Sequence, residues 1–124
     1  MPQIPSFLLN LLPRQLLRIT DYRGRLVISI DKANFVLCKA MDNNVRLWYK
    51  DGRGEINDII FRQKLQAVEK MVCGDNIVRC HRSYIVNLEY VKIIEPFKKG
   101  YRMDVGIFFI PVSTSFIDRL TSKE

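Results

Sequence analysis

The chain alternates apolar and polar positions over most of its length, at the two-residue period of an extended strand. Leu17 to Asp21 and Arg25 to Ile30 are predicted as a hairpin around Tyr22-Arg23-Gly24, whose second strand sets Leu26, Ile28 and Ile30 against Arg25, Val27 and Ser29. Asn34 to Ala40 follows as a strand with Phe35 and Leu37 on one face and Val36, Cys38 and Ala40 on the other. Asp42-Asn43-Asn44 is a turn cluster. Val45 to Lys50 then places Val45, Leu47 and Tyr49 opposite Arg46, Trp48 and Lys50. Asp51-Gly52-Arg53-Gly54 has the composition of a hairpin turn, and Glu55 to Asn57 begins the return strand. There the period changes. With Asp58 as N-cap, Ile59, Ile60, Leu65, Val68 and Val72 form one helical face and Arg62, Lys64, Gln66, Glu69 and Lys70 the other, and Gly74 is the expected stop. Alternation returns from Ile77 to His81. Leu88 to Ile94 begins as a short helical turn and then extends. Phe97-Lys98-Lys99-Gly100 turns into Tyr101 to Val105, and Ile107 to Val112 is the last strand before Ser113-Thr114-Ser115 caps a helix from Phe116 to Thr121. Many short strands, tight glycine turns and one medium helix predict a mainly β domain of the α+β class.

Two stretches break the alternation. Val105 to Val112 is almost entirely apolar, so Phe108 and Phe109 point to opposite faces and one meets solvent unless something covers it. Phe7, Leu8, Leu11, Leu12, Leu16 and Leu17 recur near helical spacing, with Pro13 bending the run. This segment is the candidate cover, in the same chain or from a second protomer. It is also compatible with the end of an upstream module. Residues 1–16 are therefore expected to be an apolar segment or linker remnant, and 17–124 the domain itself. The run is far short of the ~20 residues that a membrane span requires, and no signal peptide is evident.

The 124 residues suffice for one domain with a real core. A formal net charge of +7 points to an anionic partner, nucleic acid before a membrane surface, with a basic but inert surface as the plain alternative. Cys38, Cys73 and Cys80 are odd in number and widely spaced, which fits a reducing cytoplasm better than a disulfide framework; Cys38 and Cys80 lie in apolar strands as small core residues.

Candidate chemistry concentrates between Ile77 and Ile94, where Arg79, His81 and Arg82 sit at the turning point of a strand and Ile85, Val86 and Leu88 resume the apolar run around Asn87. The order Arg79, Cys80, His81, Arg82, Ser83, Tyr84, Ile85, Val86, Asn87 closely resembles the signature of the LytTR family of bacterial DNA-binding domains. Element order, the Asp42 to Tyr49 turn and strand, and the ending Ile110-Pro111-Val112-Ser113 extend the resemblance from about Leu17 onward. It implies an elongated stack of small, mostly antiparallel sheets, and a transcription regulator of the two-component, response-regulator kind. Such a domain uses loops, not a recognition helix, to read the major groove of imperfect direct repeats, with a possible second protomer on the DNA. It usually follows a receiver or membrane module, which this sequence lacks. Carried over residue by residue, the DNA-binding candidates are Asn43, Asn44, Arg46, Arg79, His81, Arg82, Ser113, Thr114 and Ser115. Relatives often have a polar base-contacting residue at the position of Val45 and arginine near Thr114 and Ser115. Arg82 is thus expected to carry more of the discrimination.

Arginine suits either task on DNA, since its guanidinium pairs bidentately with phosphate or with guanine O6 and N7. Duller readings stand beside these. Arg79 and Arg82 fit surface salt bridges with Asp75 or Glu89. His81 fits a structural histidine bonded to nearby backbone. Asn87 and Ser113 fit caps, and Trp48 fits packing under its neighbours. The sequence contains no phosphate loop, dinucleotide fingerprint or nucleophile elbow. Accordingly no enzymatic activity, cofactor, metal or small-molecule substrate is expected. The alternative function is a basic protein-interaction module that uses its apolar N-terminal segment. Single-stranded RNA binding would want more exposed aromatics than Trp48.

Overall fold

A computed structural model describes residues 15–122. Ten strands form three antiparallel sheets: β1 (Leu16–Thr20) with β2 (Leu26–Asp31); β3 (Phe35–Met41), β4 (Asn44–Lys50), β5 (Ile56–Arg62), β6 (Ile77–His81) and β7 (Tyr84–Asn87) in the order β5-β4-β3-β7-β6; and β8 (Ile93–Phe97), β9 (Gly100–Asp104) and β10 (Phe109–Val112) in the order β10-β9-β8. Helix α1 (Leu65–Val72) lies between β5 and β6, and α2 (Thr114–Ser122) ends the described chain.

The central five-stranded sheet has a core on each face. On one, β1–β2 and α1 contribute Leu17, Ile19, Ile30, Leu65, Val68 and Val72 against Phe35, Cys38, Val45, Leu47 and Ile85. On the other, β9, β10 and α2 contribute Met103, Ile110, Val112 and Phe116 against Val36, Leu37, Cys80 and Val86. Each large apolar side chain buried in these cores contributes about 1.5–3 kcal/mol. Strand β3 serves both, and it departs from simple alternation. The register shifts between Phe35, opposite Tyr49, and Leu37, opposite Trp48. This bulge turns Leu37 to the same core as Val36, whereas Phe35 joins Cys38 in the other, so the expected pairing of Phe35 with Leu37 is corrected.

The helix expected from Asp58 is also corrected. Ile56 to Arg62 pair residue by residue with β4, and the helix begins only at Leu65. Asp58 caps nothing; it accepts from Nε of Arg46 across the strands at 2.8 Å. Ile59, Ile60 and Phe61 favour a strand once a neighbour offers a ladder, and an isolated sequence cannot show that offer. Gln63 closes β5: it is buried and donates its Nε2 to the Thr20 carbonyl at 3.1 Å. Helix α1 then ends on an extended Cys73 without the left-handed glycine cap expected at Gly74.

The expected hairpin turns are present, built by one repeated device. The Oδ1 atoms of Asp21 and Asp51 each accept two backbone N–H groups, from Arg23 and Arg25 and from Arg53 and Glu55, while Gly24 and Gly54 take φ of +80° and +81°. At the last strand, Phe108 packs edge-on against Trp48 with ring centroids 5.1 Å apart, and Phe109 is 48% exposed beside exposed Ile93 and Phe97. Most of the cover expected for this face, Phe7 to Leu17, lies outside the described residues, although Leu17 itself is buried in the β1–β2 core.

Candidate nucleic-acid interface

Antiparallel pairing brings three separate turns to one end of the central sheet. Asp42 and Asn43 join β3 to β4, with Asp42 in the left-handed region at φ 54° that aspartate tolerates better than most residues. Arg82 and Ser83 join β6 to β7, and the Ser83 carbonyl accepts from the Ala40 N–H at 2.8 Å, which fixes this turn beside the first. The Ser113 N–H donates to the Cys80 carbonyl at 2.9 Å, placing the start of α2 alongside β6. Asn43, Asn44, Arg82, Ser113, Thr114 and Ser115 are thereby gathered from three distant stretches of sequence.

Within this group the side chains divide by what already holds them. Arg82 is exposed, and its guanidinium has no hydrogen bond or ion pair among the described residues. Arg79 lies beneath it: Nη1 donates to Glu69 at 2.9 Å and Nη2 to the Arg82 carbonyl at 2.6 Å. Arg79 is thus a positioning residue that ties the turn to α1, and its carboxylate partner is Glu69, not the expected Asp75 or Glu89. Its Nε is buried without a partner. His81 accepts the Ser83 N–H at Nδ1 over 3.1 Å, so the neutral ring carries its proton on Nε2. Burial, and then the charge of Arg82, lower its pKa from the ordinary value. The structural reading of His81 therefore has a defined partner. Ser113 Oγ accepts the Phe116 N–H at 3.2 Å as the cap of α2. Arg46 is set back from the turn; besides its Asp58 partner, its guanidinium lies 4.7 Å from the Trp48 ring centroid.

A cleft of about 610 Å³ runs between α1, β6 and α2, lined by Glu69, Arg79, His81, Arg82, Ser113 and Ser115 among others. Asn87, at the far end of β7, belongs to neither cleft nor turn. It is 2% exposed, donates to the Phe35 carbonyl at 2.9 Å and accepts the Glu89 N–H at 3.0 Å. Among the described residues no group of three His, Cys, Asp or Glu is placed to hold a metal ion, and no helix is long and apolar enough to cross a membrane.

Comparison with known proteins settles the lineage. A family model described as the LytTr DNA-binding domain matches residues 24–123. The chain belongs to the LytTR family of DNA-binding domains. It is 27% identical over 99 residues to the sensory transduction protein LytT of Bacillus subtilis, an alignment that covers 78% of this chain and 39% of that protein. The chain thus spans well under half the length of this relative. In fold it matches a LytTr DNA-binding domain from Bacillus cereus with a TM-score of 0.65 at 20% identity, over 89% of this chain and 96% of that one.

As a LytTR domain, the chain is a DNA-binding domain, and its mainly β architecture with three antiparallel sheets is the one the family resemblance implied. The LytTR signature here does two jobs at two ends of the sheet. Arg79 to Ser83 build the turn, and Asn87 pins the opposite end of β7. Sequence reasoning missed further basic residues at the turn end. Arg62 pairs with Asn44, and the Tyr22 N–H donates to the Arg62 carbonyl at 2.9 Å, so Tyr22, Arg23 and Arg62 flank the β3–β4 turn. Reading Asp58 to Arg62 as a strand would have placed Arg62 opposite Asn44 from the sequence alone.

Proposed function

We propose that this LytTR domain binds duplex DNA sequence-specifically through the end of its central sheet. The β3–β4 turn, the Arg82–Ser83 turn and the start of α2 enter the major groove. Two protomers occupy imperfect direct repeats. The observation that carries this reading is the state of Arg82: an exposed, unneutralised guanidinium on a turn whose carbonyl is tied down by Arg79, beside two other turns rich in short polar side chains. A guanidinium so placed can meet guanine O6 and N7 bidentately, an arrangement worth about 1–3 kcal/mol of base discrimination. Asn43 and Asn44 offer amides, and Thr114 and Ser115 hydroxyls, at the same end. Arg46 and Arg79, each paired with a carboxylate, act on DNA mainly by setting the shape of the surface.

Guanine N7 methylation interference on a selected duplex tests the groove assignment, since N7 projects into the major groove. Methylation at one guanine per half-site is expected to abolish wild-type binding and to have little further effect on Arg82→Ala. Interference confined to adenine N3, in the minor groove, would reject the assignment.

A further inference from the structure

The turn between β1 and β2 carries a feature that base reading does not require. Arg23 and Arg62, far apart in sequence, both lie against the ring of Tyr22, with guanidinium carbons 5.4 and 4.7 Å from its centroid. Arg23 Nε also donates to the Tyr22 hydroxyl at 2.8 Å. Neither guanidinium has a carboxylate partner among the described residues. The nearest acid in sequence, Asp21, is already committed: its Oδ2 pairs with Arg25 at 3.1 Å and its Oδ1 accepts the Arg23 and Arg25 N–H groups. By contrast Arg25, Arg46, Arg79 and Arg102 each meet a carboxylate. Two like charges gathered on one aromatic ring repel unless an anion joins them. The Tyr22 hydroxyl and ring hold the Arg23 guanidinium and the same ring backs that of Arg62, so part of the ordering needed for binding is already in place.

The position of the cluster identifies the anion. Arg62 pairs with Asn44, and the Gln63 N–H donates to the Asn43 carbonyl at 3.2 Å, so the cluster borders the β3–β4 turn on the side away from Arg82. From β5 to β6 the sheet order places four strand spacings, roughly 19 Å at about 4.8 Å each. A major groove is only about 12 Å wide. If Arg82 reads bases within it, a side chain that far across the sheet meets the sugar–phosphate wall and not base edges.

We propose that Tyr22, Arg23 and Arg62 form a phosphate-binding cluster that grips the DNA backbone beside the groove entered by the central sheet's turns. This rests on the reading of the sheet end as the DNA interface and adds a second, sequence-independent anchor to it. The cluster sets register and affinity; Arg82 sets sequence choice.

The test is a salt titration of the full chain on a selected duplex and on a random duplex, comparing wild type with Arg23→Ala, Arg62→Lys and the double variant Arg23→Ala/Arg62→Ala. Removing one phosphate-neutralising guanidinium should flatten the slope of log K against log salt by about 0.9. The double variant is expected to lose about 1.8 of slope, so that between 50 and 200 mM salt wild type loses roughly tenfold more affinity than it does. The weakening should be equal on both duplexes, and Arg62→Lys should keep most of the slope. Thermal unfolding without DNA should match wild type; should the double variant be unstable, Arg23→Ala, at an exposed turn, carries the comparison with half the effect. An unchanged slope in folded variants, with wild-type binding intact, overturns the cluster alone. A weakening confined to the selected duplex also overturns it, because it reassigns these residues to base reading. Salt-independent or absent binding by wild type overturns the interface reading and the cluster with it.

Discussion

Replacing Asn87 with alanine isolates the part of the LytTR signature that lies at the end of β7 opposite the Arg82 turn. Its Nδ2 donates to the Phe35 carbonyl at 2.9 Å, and its Oδ1 accepts the Glu89 N–H at 3.0 Å. Phe35 is fully buried, so its carbonyl has no water to turn to once the amide is gone. Removing two hydrogen bonds at about 1 kcal/mol each, plus part of the cost of a buried unsatisfied carbonyl, destabilises the fold by about 2–3 kcal/mol. In a domain of this size that lowers Tm by about 3–5 °C per kcal/mol. Asn87→Asp should fare no better, since a carboxylate cannot donate to the carbonyl. Urea denaturation followed by circular dichroism reads the change as a lower midpoint at unchanged slope. Below the transition, DNA affinity should stay near wild type, because Asn87 lies a whole strand, roughly 10 Å, from the Arg82 turn. A variant of full stability that no longer binds DNA would refute this assignment and move Asn87 into the interface.

Other expectations follow from the same geometry. Burial first, and Arg82's charge second, hold the folded-state pKa of His81 below its ordinary value of 6.5, so the unfolded chain takes up the proton first as pH falls. This group's contribution is therefore present above about pH 6.5 and is lost as pH falls from there through the folded-state value. His81→Gln should lessen the fall in Tm between pH 7 and 5, and superimposable profiles would clear His81 of the role. Arg82→Ala should weaken selected-site binding by about 1–3 kcal/mol in a competition gel shift while leaving random-duplex binding nearly unchanged. An equal weakening on both would make Arg82 a phosphate holder. Ile93, Phe97 and Phe109 are exposed on one face of the β8–β10 sheet, with the Arg102 guanidinium lying over both phenylalanine rings, and Phe7 to Leu12 is an apolar run shortly before β1 in the sequence. Deleting residues 1–14 is expected to lower Tm or to cause self-association that Phe109→Ser relieves. An equally stable monomer would reduce that segment to a linker.

How much could be read from residues depended on how many partners a residue needs to declare itself. Strand β4 was legible because Val45, Leu47 and Tyr49 alternate cleanly and face one core. The Asp21 and Asp51 turns were legible because an aspartate and a glycine at fixed offsets carry their own hydrogen-bond chemistry. The bulge in β3 was not, since Phe35, Val36, Leu37 and Cys38 are all apolar and all buried, and an unbroken run hides which residue is inserted. Strand β5 was misread because Ile59, Ile60, Leu65, Val68 and Val72 satisfy a helical period, and only pairing with β4 overrides it. That error propagated to the interface. With Asp58 taken for a cap and Arg62 for the polar face of a helix, neither the Arg46–Asp58 pair nor the Tyr22–Arg23–Arg62 cluster was visible. The signature itself located the Arg82 turn. It did not reveal that Arg79 supports the turn from Glu69 and that His81 holds it from within.

Selection of bound sequences from a random duplex pool addresses the central claim most directly. Wild type is expected to enrich duplexes with two copies of a short motif in the same orientation, containing a guanine at one fixed position in each copy. Arg82→Ala should enrich the same motif with that guanine relaxed. Recovery of duplexes indistinguishable from the input pool, in proportion to charge alone, would contradict sequence-specific reading by this end of the sheet.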